Sequence, residues 1–367
     1  MSKAAELAKW GEVSTNGQVS GRRNIIINGA MNVAQRGAAT SAGALGDAIE
    51  MGNIDRFKIE AGSTAGRFTM EQTAITDLPG FANCMELTCT TADTTIAAGE
   101  FIALSQYLEG QDVQQMKKGT SSAEAVTVSF YVKGNASATH TLELRDNDNS
   151  RFNSQEFPVT TDWVRITRTF VGDTTGAFDN DIALSLKVNI WLHAGSTYKG
   201  GTHVSNTWGT TTNTRVGDNQ TSFVDADTRN LFITGLQLEV GSVATPFEHR
   251  SFGEELALCQ RYYHSTTFAN GKAASAGGTV NSSTIAVIAG MAHPVIMRAA
   301  PVAAINDVTH IGVRHRSGVT NCTGVAISTS QRACTMELTV SSGLTVGNGC
   351  FARSVNNSCT LSFDIEL

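Results

Sequence analysis

The sequence predicts an all-β protein: a β-sandwich followed by a short helix and a second, smaller β-sandwich, with a short helix at the N-terminus. Three observations carry this. The 367 residues exceed what one hydrophobic core usually serves, so two β domains of about 100 to 220 residues are expected. Gly at 35 against Pro at 5, in a Thr/Ser-rich texture, fits short strands joined by tight turns, because glycine supplies the positive φ such turns need. Apolar residues recur mostly at period two, the signature of half-buried strands.

Hydrophobic residues make up 41% of the chain and charged residues 16%, enough apolar content for a core and too little charge for a disordered chain. A net charge of −6 excludes a broad phosphate-binding face, and Arg22-Arg23 is the nearest thing to a basic run, so no nucleic-acid partner is expected. No stretch approaches 18 uninterrupted apolar residues, and Lys3, Glu6 and Lys9 break the apolar core a signal peptide would need; synthesis in the cytoplasm and no membrane insertion are expected.

Residues 1–23 open with Ala4, Leu7, Ala8 and Trp10 near one helical face and continue as a polar linker. A helix of about ten residues is marginal alone in water, so Leu7 and Trp10 are expected to dock on a partner. The first β domain is read over 24–250. It starts with NIIINGAM at 24–31, an apolar run whose Asn28-Gly29 pair suits a turn or bulge. Phe57 and Ile59 share one face, and Phe68 and Met70 continue the alternation.

The clearest strand is AVTVSFYVK at 125–133, with Val126, Val128, Phe130 and Val132 on one side. TLELR at 141–145 follows after Gly134-Asn135 and reads as its hairpin partner. Residues 146–149 form a polar tip, 163–170 and 182–192 are further strands, and LFITGLQLEV at 231–240 closes the domain.

Ser251 with Glu254 three residues on makes a capping box, and Phe252, Leu256, Cys259 and Tyr263 recur at helical spacing, so a connecting helix is expected over 251–263. Residues 264–367 return to short strands at 283–289, 324–328, 334–340 and 359–365, the pattern of the second sandwich.

The motifs of common chemistry are missing. A glycosidase needs two carboxylates flanking one bond, whereas Glu143, Glu156 and Asp162 are scattered over strands and loops. There is no G-x-S-x-G and no HExxH, and Glu248-His249 at a strand-to-helix junction reads as a structural contact. The run 146–149 offers oxygen ligands, but Arg151 stands where a calcium loop needs Gly, so an Asx-rich turn is favoured. Seven cysteines without a CxxC argue against zinc and against a full disulfide framework; reduced, buried thiols are expected, with two bridges among Cys322, Cys334, Cys350 and Cys359 as the alternative. No enzyme activity, metal or cofactor is expected.

One functional signal remains. Residues 194–221 form a long Gly/Thr/Asn-rich loop that holds Tyr198 and Trp208 among Asn206, Asn213, Asp218 and Asn219. Flat rings stack on the C–H face of sugars while such polar groups bond hydroxyls, so Tyr198, Trp208, Asn206, Asn213 and Asp218 are the candidate ligand site. Packing of the two rings on the sandwich or on a neighbouring subunit is the competing reading, and the commoner one.

The segments NIIINGAM, AVTVSFYVKG, Trp163-Val164-Arg165-Ile166 and ITGLQLEVGSVATPFEHRSFGEELALCQRYY together resemble phage tail-fibre or fibre-like virion proteins whose main domain is similar to jelly-roll carbohydrate-binding modules. The likeness covers roughly residues 22–263, and the ending LSFDIEL is also similar to such fibres. It implies a homotrimer in the virion tail, joined through its N-terminal end to a tail or baseplate adaptor, that meets a host cell-surface glycan. Alternatives are a decoration, neck or collar fibre without a receptor and, third, a polysaccharide depolymerase. Related modules carry acidic residues for structural calcium where this chain has Met31-Asn32 and Thr234-Gly235, so that site is not expected here.

Overall fold

A computed structural model describes Lys3 and residues 22–37, 45–46 and 48–367. The N-terminal helix expected with Leu7 and Trp10 lies outside the described residues. The chain divides into two compact units, residues 1–255 with Leu367, and residues 256–366. Each is almost entirely β, and no helix is long and apolar enough to cross a membrane among the described residues.

The first unit holds β1 (Ile49–Met51), β2 (Phe57–Gly62), β3 (Arg67–Ala74), β4 (Asn83–Thr91), β5 (Phe101–Glu109), β6 (Val126–Gly134), β7 (Ala138–Asp146), β8 (Arg151–Val159), β9 (Val164–Phe170), β10 (Leu184–Ala194) and β11 (Asn230–Val240). They form two antiparallel sheets, ordered β1-β2-β5-β10-β7-β8 and β3-β4-β11-β6-β9, and the result is a jelly-roll sandwich. Alternation explains the pairing of faces. Val126, Val128, Phe130 and Val132 of one sheet and Leu142, Leu144, Val188 and Ile190 of the other all enter one core. Phe130 meets Phe157 across it edge-on, with ring centroids 5.1 Å apart. Each such side chain contributes about 1.5 to 3 kcal/mol by leaving water, which is why the alternating runs dictate the architecture.

Two expectations about this unit are corrected. Strands β6 and β7 are not a hairpin: β6 pairs with β9 and β11, while β7 pairs with β8 and β10. The chain crosses from one sheet to the other at residues 135–137, since two strands whose apolar sides face each other across a core cannot also lie edge to edge. Residues 24–31 are not a strand either. Asn24 and Asn28 capture backbone groups with their side chains, Asn28 bonding Val33 and Asp55, and Asn28 and Met31 take positive φ of 62° and 56°. Two main-chain bonds, Ile25 to Leu238 and Leu236 to Gly29, and the Asn24 side chain, which donates to the Leu236 carbonyl and accepts the Leu238 amide, tie this segment to β11.

Strand β11 sits between β4 and β6 and closes the five-stranded sheet. Its register shifts between Thr234 and Gln237, where Gly235 has φ +66° and an added Cβ would meet the Phe81 ring at 2.7 Å. The bulge therefore needs glycine.

Ser251 Oγ accepts the amide of Glu254, so the cap forms, and the helix runs Phe252–Gln260. The helical spacing reaches Tyr263, but the aromatic and β-branched run YHSTTF starts a strand there instead.

The second unit contains β12 (Tyr263–Phe268), β13 (Ala273–Val280), β14 (Ile285–Ala292), β15 (Val302–Ile305), β16 (Ile311–His315), β17 (Gly318–Thr329), β18 (Ala333–Val340), β19 (Gly349–Ser354) and β20 (Cys359–Asp364). Six of them close as a barrel, β13-β14-β18-β17-β16-β19, with a separate sheet β12-β20-β15. The sandwich expected here thus has one layer rolled shut, which removes the exposed edges that short strands would otherwise present. Ile288, Val313, Met336 and Leu338 from the barrel share one core with Leu361 and Phe363 from the small sheet. All seven cysteines are buried and none forms a disulfide, in agreement with the reduced reading.

Candidate functional site

Three of the five loop residues expected to bind ligand, Tyr198, Asn206 and Trp208, are held by the protein's own groups. Tyr198 is half-buried and packs on Phe101 and Trp191, with centroids 5.2 Å from each. Trp208 donates its indole N–H to the Val171 carbonyl at 2.7 Å and packs against the sandwich core. Asn206 accepts the Val171 amide through Oδ1 and holds its own amide on the Ser154 carbonyl, which fixes the loop on β8. Asn213 and Asp218 are exposed. The rings therefore follow the packing alternative, and their energy goes into fixing the loop.

What the loop covers is the outer face of the six-stranded sheet. Strands β7 and β10 present Glu143, Asn189, Trp191 and His193 there, alternating with core residues. A solvated sheet face would carry exposed polar side chains; these four are at most 2% exposed. Arg215 reaches from the loop to Glu143 with hydrogen bonds of 2.7 and 2.8 Å, and Asn189 and Trp191 also donate to that carboxylate. Burial alone would raise the Glu143 carboxyl; the Arg215 charge and these bonds outweigh it and hold it below the usual range. The Arg215 guanidinium also lies 4.8 Å from the Trp191 ring centre. The face is filled by the protein's own chain.

Of the three carboxylates weighed for catalysis, Glu143 and Glu156 are engaged by the protein's own donors, and Asp162 is exposed. Glu156 accepts the amide and side chain of Asn219 at 2.7 and 2.9 Å. Glu248 accepts the amides of Arg23 and Asn24, while the His249 ring packs on Phe81 and Phe247, so these neighbours form no dyad. Asp146 accepts Asn149 in an Asx turn and pairs with Lys118 at 2.5 Å, as the turn reading requires.

The second unit holds an open cavity of about 290 Å³, whereas two pockets of the first unit measure about 20 Å³ each. Its floor is one side of the pairing of β12 with β20, where His264 faces Phe363 and Thr266 faces Leu361, with Phe268 next along β12. Its wall is the end of β14 with Met291, His293, Pro294 and Cys334. The strand opens there because Gly290, at φ +74°, sits inside a register shift between Ile288 and Met291. His264 and His293 share a 2.9 Å hydrogen bond, and the other nitrogen of His293 donates to the Ser330 carbonyl. His264 stacks on Phe363 at 4.7 Å, and burial, then His293, pull its pKa down to about 4. The cavity is uncharged, lined by rings, with a hydroxyl at Thr266. The period-two spacing of His264, Thr266 and Phe268 was the available signal for it; the contribution of β14 from 27 residues away had none.

No metal was expected. Asp93, Glu100 and His193 nevertheless bring one ligand atom each within 4.8 Å of one another, and all three are buried.

The chain matches no protein-family model and no curated protein. Among solved structures, 59% of it overlays 21% of the bacteriophage CBA120 tailspike protein 4 enzymatically active domain, with 12% identity and a TM-score of 0.31. The chain thus spans about a fifth of that protein. It overlays 99% of TmCBM61, solved with β-1,4-galactotriose, with 60% of its own length, 11% identity and a TM-score of 0.31. It overlays all of the CBM22-1 xylan-binding domain of Paenibacillus barcinonensis Xyn10C with 55% of its length, 16% identity and a TM-score of 0.27.

Proposed function

We propose that this chain is a non-enzymatic fibre protein of a tailed-phage virion, assembled as a homotrimer on the tail through its N-terminal segment, and that it recognises a host-surface glycan with its second unit. The sequence resemblance over residues 22–263 supports the virion assignment. One observation carries the placement of recognition: the sheet face of the first unit is occupied by its own loop, whereas the second unit keeps a ring-lined cavity of about 290 Å³ open. Uncharged rings beside a few hydroxyl and imidazole groups are what a sugar needs, apolar C–H faces on one side and hydroxyls on the other.

The test is staining of cells on which a phage carrying this protein grows, using fluorescent full-length chain. Wild type stains and competes with phage adsorption, and Thr266→Trp, which plugs the cavity mouth from an exposed position, loses most of the signal. Absence of staining at saturating protein overturns the adhesin reading. The self-filled face of the first unit favours a second reading, a decoration, neck or collar fibre; that reading expects binding to virion parts and none to cells.

A further inference from the structure

We infer that Asp93, Glu100 and His193 form a binding site for a zinc-class divalent cation in the first unit. The three come from places that only the fold joins: Asp93 lies two residues past the end of β4, Glu100 immediately precedes β5, and His193 stands near the end of β10. They are 7%, 6% and 0% exposed.

Charge is the first reason. Two carboxylates share a buried group in which the imidazole supplies at most one compensating charge, and among the described residues no arginine or lysine is hydrogen-bonded to either carboxylate. Asp93 has donors of its own, from Thr64 Oγ1, the Ala65 amide and the Thr95 amide. Glu100 has none. Its side chain is more than nine-tenths buried, and among the described residues its carboxylate is bonded by His193 Nε2, a member of the group, at 3.3 Å. A largely buried carboxylate pair with one imidazole between them favours a neutralising cation, which would offset the cost of holding two negative charges close together.

Geometry is the second reason. Bonds of about 2.0 to 2.1 Å in a tetrahedral set place neighbouring ligand atoms roughly 3.3 Å apart, the observed Nε2 to Oε2 separation. The imidazole is oriented from behind, as ligating histidines usually are, by a 2.8 Å contact between Nδ1 and Ser222 Oγ. That hydroxyl can donate or accept, so a shift of one proton from Nε2 to Nδ1 frees Nε2 for a cation without moving the ring. One imidazole with two carboxylates suits zinc better than calcium, which prefers an all-oxygen shell. The ion would staple the β4–β5 connection to β10, beside the point where the Phe223 amide bonds the Leu192 carbonyl and the covering loop returns to the sheet.

The experiment uses full-length chain stripped with EDTA and exchanged into chelator-free buffer. Zinc chloride titrated by calorimetry should bind one equivalent per chain, and a saturating excess should raise the first-unit melting temperature by about 5 °C. Cobalt chloride should give the visible absorption of a tetrahedral centre. Glu100→Gln, nearly isosteric, should weaken zinc binding at least about a hundredfold, and His193→Gln should abolish the cobalt band. Equal zinc affinity in Glu100→Gln overturns the site. So does the absence of binding to wild type, or binding of calcium in place of zinc.

Discussion

Arg215 and Glu143 are joined by two hydrogen bonds of 2.7 and 2.8 Å on a sheet face where both are buried, and 72 residues of chain separate them. The pair fastens the long loop over the six-stranded sheet. Removing the cation leaves Glu143 buried with Asn189 and Trp191 as its remaining donors. Arg215→Ala should therefore destabilise the first unit by about 3 kcal/mol and raise hydrogen exchange across residues 195–224. Denaturant melts and exchange mass spectrometry measure both. A variant as stable as wild type, with unchanged exchange, would show that the loop holds without the pair.

Trp208, half-buried, is tied to the Val171 carbonyl and packs against the core. Trp208→Ala should cost about 2 kcal/mol of first-unit stability and leave cell staining intact once the protein is folded. Staining lost in a variant with a wild-type melt would return the loop to candidacy as a ligand site.

His140 gives the first unit an acid-sensitive term. Burial lowers its pKa from 6.5 to about 4, and its Nδ1 accepts the Gln220 amide at 3.0 Å, a bond that protonation there destroys. The folded state excludes a proton that the unfolded chain accepts, so stability is complete above pH ~6.5. It falls as pH drops from about 6.5 to about 4, by roughly 3 kcal/mol in all, and then levels. His140→Leu should flatten that slope relative to wild type in melts at successive pH values. Parallel slopes for the two proteins would refute the assignment.

The thiols should be silent in the native protein. Burial pushes Cys84 and Cys322 up to about 12 and Cys89 and Cys359 up to about 11, so the reactive thiolate is scarce at neutral pH. A thiol reagent should label almost none of the seven cysteines before denaturation and all of them after it. Rapid labelling of two or more in the folded chain would contradict the buried, reduced arrangement.

The legibility of this fold in its sequence followed the range of the forces involved. Val126 to Val132 and Leu231 to Leu238 announced their strands because alternation is local, and Ser251 announced its helix because a cap acts over three residues. Whether β6 and β7 lie side by side or face to face was not legible, since both arrangements bury the same side chains. The Asn24 to Met31 stretch looked like a strand by hydrophobicity, while two asparagine side chains decided its course. Site residues fared worst. Glu143 reads as an ordinary outward residue until Arg215 arrives from the distant loop, and Asp93, Glu100 and His193 share no spacing a motif could use.

Strands β12 and β20, the first and last of the second unit, are paired from Tyr263 opposite Asp364 to Phe268 opposite Cys359. The first and last strands of this unit are thus neighbours, and the stretch between them is not self-contained, because Val302–Ile305 of β15 pairs with the other edge of β20. Exchanging that stretch for another domain would strip β20 of one of its two partners, so this strand binds the first, middle and last segments of the unit into one piece.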